Sequence, residues 1–205
     1  MGVEDYISAF IRPAGPLFAG VEALEDQMED IRPNVGLEAG KMLSLLVHLT
    51  RAQRVLELGT SLGYSAIWLA SALKETGGKL VTVECRQDLF ELARKNLRET
   101  GLGGRVEVIH GDAGQVIQSL EGHFDLILQD SDKALYPKML ETCIRLTRLH
   151  GVLVADDALF KPRGIRDELS DPVHQYNRMV FNDPRLASTI LPVGDGMVIS
   201  VKLAD

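Results

Sequence analysis

The chain has 205 residues, of which 45% are hydrophobic and 25% are charged. The length suits one domain, and both fractions are average for a globular protein, which excludes collagen-like and low-complexity chains. The formal net charge of -7 weighs against nucleic acid as a partner, without excluding tRNA. We expect a single domain over residues 1–205, with an N-terminal helical cap over residues 1–50 and a core over residues 51–205.

The cysteines and the N-terminus both indicate a location. Cys85 and Cys143 lie far apart and outside any CxxC pattern, which is typical of reduced thiols in a cytoplasmic protein. Glu4 and Asp5 stand where a signal peptide carries basic residues, and no apolar run approaches the roughly 18 residues of a membrane span. We therefore expect a cytoplasmic protein without membrane association.

The first 50 residues show helical periodicity and no strand pattern. Apolar residues recur at helical spacing in two groups, which are Leu17, Val21, Leu24 and Met28, and then Met42, Leu45, Leu46 and Leu49. The pattern predicts two cap helices, with a loop over residues 33–36 between them.

From Arg54 onward, short β-branched runs alternate with amphipathic stretches of helical length. The runs RVLEL, KLVTV, RVEVIH, FDLILQ and GVLVAD predict five strands that are too apolar to expose one face. Helices are predicted between them over residues 64–73, 89–100, 113–120 and 136–147. This alternation favours a doubly wound α/β fold with a parallel sheet and right-handed crossovers.

The last part of the chain departs from this alternation. Residues 173–181 predict a helix, and LASTILPVGDGMVISVK predicts two strands joined by a turn over residues 194–196. We expect this hairpin to close the parallel sheet with antiparallel pairing.

The strongest local motif is the end of the first predicted strand, LELGTSLGYSA. Ligands of open α/β sheets bind beyond the carboxyl ends of strands, and glycine allows close approach to the backbone. The turn over residues 59–63, with Gly59, Thr60 and Gly63, is therefore a candidate nucleotide-type site. Ser61 stands where the GxGxxG fingerprint needs its second glycine, which argues against NAD or FAD. The alternative is that both glycines serve only the strand-to-helix turn.

Acidic residues follow the next two predicted strands. Glu84 lies about 20 residues after Gly63, the spacing of a ribose-binding acid, with a solvated strand-end charge as the alternative. Asp112 could reach an adenine amino group, with a helix N-cap as the alternative. Together these residues indicate a pocket for adenosine without a pyrophosphate.

In this order the motifs resemble the S-adenosylmethionine-dependent methyltransferases, and more narrowly the metal-dependent catechol and caffeoyl-CoA O-methyltransferase family. The resemblance covers residues 35–202 and depends on LELGTSLGYSA, VTVE, GDA, FDLILQDSDK, LVADD and DPRLASTILPVGDG. It implies a Rossmann-like class I methyltransferase with a seven-stranded, mostly parallel sheet, an antiparallel C-terminal hairpin, N-terminal cap helices and a homodimer. It also places S-adenosylmethionine on Val35, Glu57, Gly59, Ser65, Glu84, Asp112, Ala113 and Asp132, beside Thr60 and Gly63.

Carboxylates also follow the fourth and fifth predicted strands, at Asp130, Asp156 and Asp157. Neighbouring strands lie about 5 Å apart, so these side chains could converge on one hard cation. Oxygen ligands favour magnesium, with calcium or manganese possible, and the alternative is that the acids cap the following segments. The resemblance assigns metal ligation to the same residues, although relatives usually carry Asn at position 157. The extra charge of Asp157 is expected to change the metal preference or to weaken activation of the substrate oxygen.

Lys133 follows Asp130 by three residues and matches the general base of catechol-type relatives. A free lysine titrates at about 10.4 and a phenol at about 10, so proton transfer at neutral pH needs the metal. The alternative is a surface lysine paired with Asp132. The predicted catalytic residues are Lys133 and Asp130.

The resemblance implies methyl transfer to a hydroxyl of a catechol-like small molecule. The expected acceptor is a vicinal diphenol whose two oxygens are chelated by the divalent cation. A hydroxylated tRNA base of the 5-hydroxyuridine type also offers adjacent oxygens and is one alternative. The other alternative is a catalytically impaired S-adenosylmethionine-binding protein. It is suggested by Asp157 and by the segment at Phe160, which both differ from the usual pattern of the family.

Overall fold

The computed structural model describes residues 2, 6–7, 9–11, 16–28, 30–31 and 34–205. A seven-stranded sheet with the order β3-β2-β1-β4-β5-β7-β6 is the centre of the fold. Strands β1 to β5 pair in parallel, and β7 pairs antiparallel with both β5 and β6. The strands are β1 (Arg54–Leu58), β2 (Lys79–Glu84), β3 (Val106–His110), β4 (Phe124–Gln129), β5 (Thr147–Ala155), β6 (Leu186–Leu191) and β7 (Met197–Lys202).

Helices cover both faces of this sheet. No helix in the described part of the chain is long and apolar enough to cross a membrane. Short 3-10 turns occupy Gly103–Arg105 and Lys133–Leu135. The helices are α1 (Pro16–Glu25), α2 (Gly36–Thr50), α3 (Tyr64–Thr76), α4 (Gln87–Glu99), α5 (Ala113–Ser119), α6 (Tyr136–Leu146) and α7 (Asp167–Asn182).

Side-chain alternation along the strands divides the interior into two hydrophobic cores. One core lies under α1 to α4 and takes its strand residues from positions such as Val55, Leu80 and Leu126. The other lies under α5 to α7 and includes Leu56 and Ile127. Because both faces are buried, the strands read in the sequence as nearly continuous apolar runs. The predicted α/β architecture and its antiparallel C-terminal hairpin are confirmed, whereas the division into a cap and a core stays a prediction.

The structure corrects the predicted start of α7. The prediction began at residue 173, after Pro172, but α7 begins at Asp167 and contains Pro172. Pro172 lacks only one backbone donor, and the first turn has compensating charge. Lys161 Nζ lies 2.8 Å from a carboxylate oxygen of Asp167 and 2.6 Å from one of Asp171. Acidic side chains near a helix N-terminus are favourable, and the buried side chain of Tyr176 anchors the following turns.

Two further boundaries differ from the predictions. Strand β5 begins at Thr147 instead of Gly151, because Thr147 already pairs with Phe124 and an irregularity then shifts the register. His150, just before the predicted start of this strand, has the left-handed φ of 60°. At the other end of the chain, Gly36 of the predicted loop already belongs to α2, and residue 33 lies outside the described residues.

Helix α2 forms where its periodicity predicts, but the residues on its buried face are not all members of the predicted apolar repeat. Leu43, Leu46 and Val47 are buried, whereas Leu45 is 49% exposed and Leu49 is 70% exposed. The repeat therefore predicted the helix correctly and its buried face only in part.

Gly40 allows α2 to approach α3 closely. A Cβ at Gly40 would lie 2.2 Å from Trp68 Nε1, so Gly40→Ala must displace the indole. We expect the free energy of unfolding to fall by about 1 to 3 kcal/mol, measured by urea denaturation.

The matched control is Gly20→Ala on α1, where no atom lies within 4 Å of the added Cβ. Because alanine is the better helix former, this variant should equal the wild type or exceed it by about 1 kcal/mol or less. Equal losses in the two variants would contradict the packing explanation.

Candidate active site

The predicted site residues gather where the order of the strands reverses, between β1 and β4. The chain leaves these two strands toward opposite sides of the sheet, which opens a crevice at their carboxyl ends. The backbone pairing continues just past the strands. Gly59 N donates to Val83 O at 3.0 Å, and Asp130 N donates to Leu58 O at 2.9 Å. These bonds hold the ends of β1, β2 and β4 together.

The backbone conformation by itself explains why glycine occupies positions 59 and 63. Gly59 has φ of +101°, and a Cβ there would lie 2.2 Å from the carbonyl oxygen of Asp130. Gly63 has φ of +92° and is the N-cap residue of α3. Both glycines therefore serve the strand-to-helix turn, and the approach of a ligand to the same turn stays a prediction.

A buried chain of hydrogen bonds lies beneath this turn. The Thr82 hydroxyl donates to Glu57 Oε2 at 2.6 Å, and the hydroxyl oxygens of Thr60 and Thr82 are 2.6 Å apart. Glu57 and Thr82 occupy paired positions on β1 and β2. The Thr82 hydroxyl therefore links Thr60 to Glu57. The chain thus fixes the first residues of the turn.

Burial keeps the carboxyl group of Glu57 protonated to a higher pH than an exposed glutamate. Its complete burial raises the pKa to about 8, although the hydroxyl groups of Ser65 and Thr82 favour the ionised form. Glu57 Oε1 has no hydrogen-bond partner among the described residues. A buried polar atom without a partner is costly, so Glu57 Oε1 is an unsatisfied group near the carboxyl end of β1.

Glu84 is a buried carboxylate that joins the end of β2 to the turn after β1. It is 6% exposed and accepts from Ser61 N at 2.7 Å and from Arg86 N at 2.9 Å. Ser61 has φ of 50°, a left-handed conformation that non-glycine residues seldom adopt. The alternative of a solvated strand-end charge is wrong. A carboxylate accepts about four hydrogen bonds, so capacity for a ligand remains.

The remaining predicted cofactor residues lie around the same edge of the sheet. Asp112 accepts from Gln115 N at 3.0 Å, which confirms the N-cap alternative for α5 and leaves its contact with adenine a prediction. Asp132 is exposed and caps the 3-10 turn by accepting from Ala134 N at 3.0 Å. The structure buries the other three at the starts of helices α2, α3 and α5, namely Val35, Ser65 and Ala113.

Lys133 lies between two of the predicted metal ligands. Its side chain is only 1% exposed, and Nζ is 2.9 Å from Asp130 Oδ1 and 2.5 Å from Asp157 Oδ2. Nζ also donates to the Tyr136 hydroxyl at 2.9 Å. These contacts do not include Asp132, so the alternative of a surface lysine paired with Asp132 is wrong.

The electrostatics of this cluster favour a cation. Burial disfavours the charge of Lys133, but the carboxylates of Asp130 and Asp157 outweigh it and raise the pKa of Lys133 well above its ordinary value. Burial, followed by Asp130 and Asp157, raises the pKa of Asp156 well above its usual range. Burial also raises the pKa of Asp157, although Lys133 acts in the opposite direction. One ammonium therefore faces three carboxyl groups.

The donor set of the cluster suits a hard divalent cation. Asp130, Asp156 and Asp157 offer only oxygen ligands, and Asp156 Oδ1 is buried without a partner among the described residues. The three carboxylates are not assembled in advance. In the described part of the chain, no group of three or more Asp, Glu, His or Cys side chains has the spacing of a metal site. Lys133 instead takes an oxygen from two of the three.

Sequence reasoning missed three residues of this region. Thr82 had a detectable signal, because it is a polar residue inside an apolar strand, whereas its pairing with Glu57 became visible only in the sheet. Tyr136 and Ser61 had none. The contact of Tyr136 with Lys133 depends on the 3-10 turn between them, and the contribution of Ser61 is a backbone N–H.

Comparison with known proteins assigns the family. The family described as O-methyltransferase matches residues 22–203. The chain belongs to this O-methyltransferase family. A catechol O-methyltransferase from Niastella koreensis is 33% identical over 181 residues, which cover 82% of this chain and 81% of the relative. One from Mycobacterium tuberculosis is 36% identical over 170 residues, which cover 82% and 76%.

A solved structure agrees with this assignment. The O-methyltransferase from Bacillus cereus in complex with SAH has a TM-score of 0.85 and 28% identity, and the match covers 98% of this chain and 96% of that chain. The predicted family, the O-methyltransferase activity and the Rossmann-like class I methyltransferase fold are confirmed.

The raised pKa of Glu57 predicts a pH dependence of stability. Between its ordinary value of 4.5 and about 8, the folded chain keeps a proton that the unfolded chain releases. Stability conferred by the neutral group is therefore complete below the unfolded pKa and is lost as the pH rises through this window. Glu57→Gln cannot ionise, so it should gain on the order of 4 kcal/mol relative to wild type between pH 4.5 and pH 8.

The measurement is urea unfolding of both proteins across this pH range. Glu107→Gln, at an exposed position on β3, is the control and should follow the wild-type profile. Parallel profiles for wild type and Glu57→Gln would show that Glu57 does not hold a proton in the folded state.

Proposed function

We propose that the chain transfers a methyl group from S-adenosylmethionine to one hydroxyl of a catechol-like small molecule, with assistance from a divalent cation. The observation that carries this proposal is the meeting of two features at one crevice. The turn over residues 59–63, backed by Glu57 and Glu84, lies against the backbone of Asp130, which begins the carboxylate and lysine cluster. A cofactor and an acceptor hydroxyl could therefore share this edge of the sheet.

Glu84 is the proposed ribose ligand, and Asp112 with Ala113 would face the adenine. The relative from Bacillus cereus that was crystallised with SAH supports S-adenosylmethionine as the methyl donor. The unsatisfied Glu57 Oε1 supports a polar ligand beside the turn. The other proposed cofactor residues are Val35, Gly59, Thr60, Gly63, Ser65 and Asp132.

Asp130, Asp156 and Asp157 would hold the cation, which we propose to be magnesium, with calcium or manganese as substitutes. A bound cation supplies Lewis acidity, which lowers the pKa of a coordinated hydroxyl. Lys133 holds Asp130 and Asp157 in place through direct contacts. As an ammonium it cannot accept a proton. Its proposed service as general base therefore requires that it leave these carboxylates, which raise its pKa, and lose one proton to solvent before it accepts the proton of the acceptor hydroxyl.

The acceptor is proposed to be a vicinal diphenol. Two relatives named catechol O-methyltransferase support this class, and they do not favour the tRNA base or the catalytically impaired protein as alternatives. The net charge of -7 also opposes attraction to tRNA. A homodimer and a cytoplasmic location stay predictions.

Glu84→Gln tests the cofactor site. The substitution removes the negative charge that strengthens hydrogen bonds to the ribose hydroxyls, each worth about 1.5 to 3 kcal/mol. We expect S-adenosylmethionine to bind at least about 10-fold more weakly in calorimetry. Glu107→Gln removes the same charge from an exposed position on β3 and should bind normally. Similar affinities for wild type and Glu84→Gln would exclude Glu84 as the ribose ligand.

The metal and acceptor are tested by measuring methylation of catechol by chromatography. Chelation by EDTA should lower the rate by about 10-fold or more, and excess magnesium should restore it. Resorcinol, a diphenol whose hydroxyls are not adjacent, is the matched control for catechol and should be methylated poorly. Full activity in EDTA would contradict metal assistance, and equal rates for the two diphenols would contradict chelation of vicinal oxygens.

A further inference from the structure

The ammonium of Lys133 has three polar partners inside the protein. An ammonium has three N–H donors, and three acceptors surround it. They are Asp130 Oδ1 at 2.9 Å, the Tyr136 hydroxyl at 2.9 Å and Asp157 Oδ2 at 2.5 Å. With 1% of the side chain exposed, solvent cannot replace any of them. We name Lys133, Asp130, Tyr136 and Asp157 the lysine cradle.

The protein holds the lysine cradle from several sides. Gln129 Nε2 donates to the carbonyl of Tyr136 at 3.0 Å, and the ring of Tyr136 packs edge-on against Tyr176 with centroids 5.5 Å apart. Asp157 has a left-handed φ of 65°, which aspartate tolerates better than most residues. The partners of Lys133 are therefore fixed by the surrounding packing, and their contacts with it are not chance surface contacts.

Two members of the lysine cradle are also proposed cation ligands. Asp130 and Asp157 each give an oxygen to the ammonium, whereas Asp156 Oδ1 has no partner among the described residues. An ammonium and a divalent cation repel each other, and both seek the same anionic oxygens. In a buried site this repulsion is weakly screened. Full occupancy by both is therefore unfavourable.

We propose that Lys133 is an internal counter-ion that competes with the divalent cation for Asp130 and Asp157. This inference rests on the proposed function, because it takes these carboxylates as the cation ligands. Cation binding then withdraws Lys133 from at least one carboxylate. The side chain becomes available to the acceptor only after the cation is in place, and Tyr136 sets the strength of the competition by holding the ammonium in the cradle.

The experiment measures manganese binding by calorimetry to chains freed of metal with EDTA. Lys133→Met removes the competing ammonium and keeps an unbranched side chain, so manganese should bind at least about 10-fold more tightly. Tyr136→Phe removes only the hydroxyl acceptor and should tighten binding by about 2-fold to 5-fold. Lys138→Met removes an exposed lysine on α6 and should remain within about 2-fold of wild type.

Thermal unfolding gives a second readout, in which manganese should raise the Tm of Lys133→Met more than that of wild type. If Lys133→Met does not unfold cooperatively, the affinity of Tyr136→Phe decides. If the wild type binds manganese and the deciding variant binds it no more tightly, the competition is overturned and the proposed function is left intact. No manganese binding by any of the chains, together with EDTA-resistant methylation, overturns both the competition and the proposed cation.

Discussion

The reversal of strand order between β1 and β4 is the constraint on which the candidate site depends. It places the turn after β1 against the first residue after β4, so closely that a Cβ at Gly59 would collide with the carbonyl oxygen of Asp130. Residues from distant parts of the chain thereby share one edge of the sheet. A glycine at this position is a requirement of strand packing before any ligand is considered.

The same edge concentrates ionisable groups that burial makes costly. Burial raises the pKa of Glu57, and two carboxylates raise the pKa of the buried Lys133. Breaking a buried pair leaves a charge without compensation, so each partner restricts the other. The two hydrophobic cores on either side of the sheet hold the strands that position these groups. The apolar residues that stabilise the fold thus lie on the two faces of the sheet, and the polar residues of the site lie at the ends of its strands.

Much of the fold could be predicted because both sheet faces are covered. Coverage makes the strands continuous apolar runs, and FDLILQ was delimited correctly as Phe124–Gln129. The misses lie where contacts between elements outweighed local signals. Pro172 suggested a helix start, but Lys161 and the buried Tyr176 support α7 from Asp167 onward. The early start of β5 depends on pairing between Thr147 and Phe124, which no local pattern reveals.

The sequence by itself determined the order of the elements, the glycine-containing turn and the acids at the strand ends, because hydrophobic period and turn chemistry are local properties. Tertiary structure alone decided which groups pair. Lys133 contacts Asp157, from the end of another strand, and Tyr136, across a short turn, instead of the adjacent Asp132. Such partners are set by strand adjacency and by exclusion of water, which depend on the packing of the whole sheet and not on spacing along the chain.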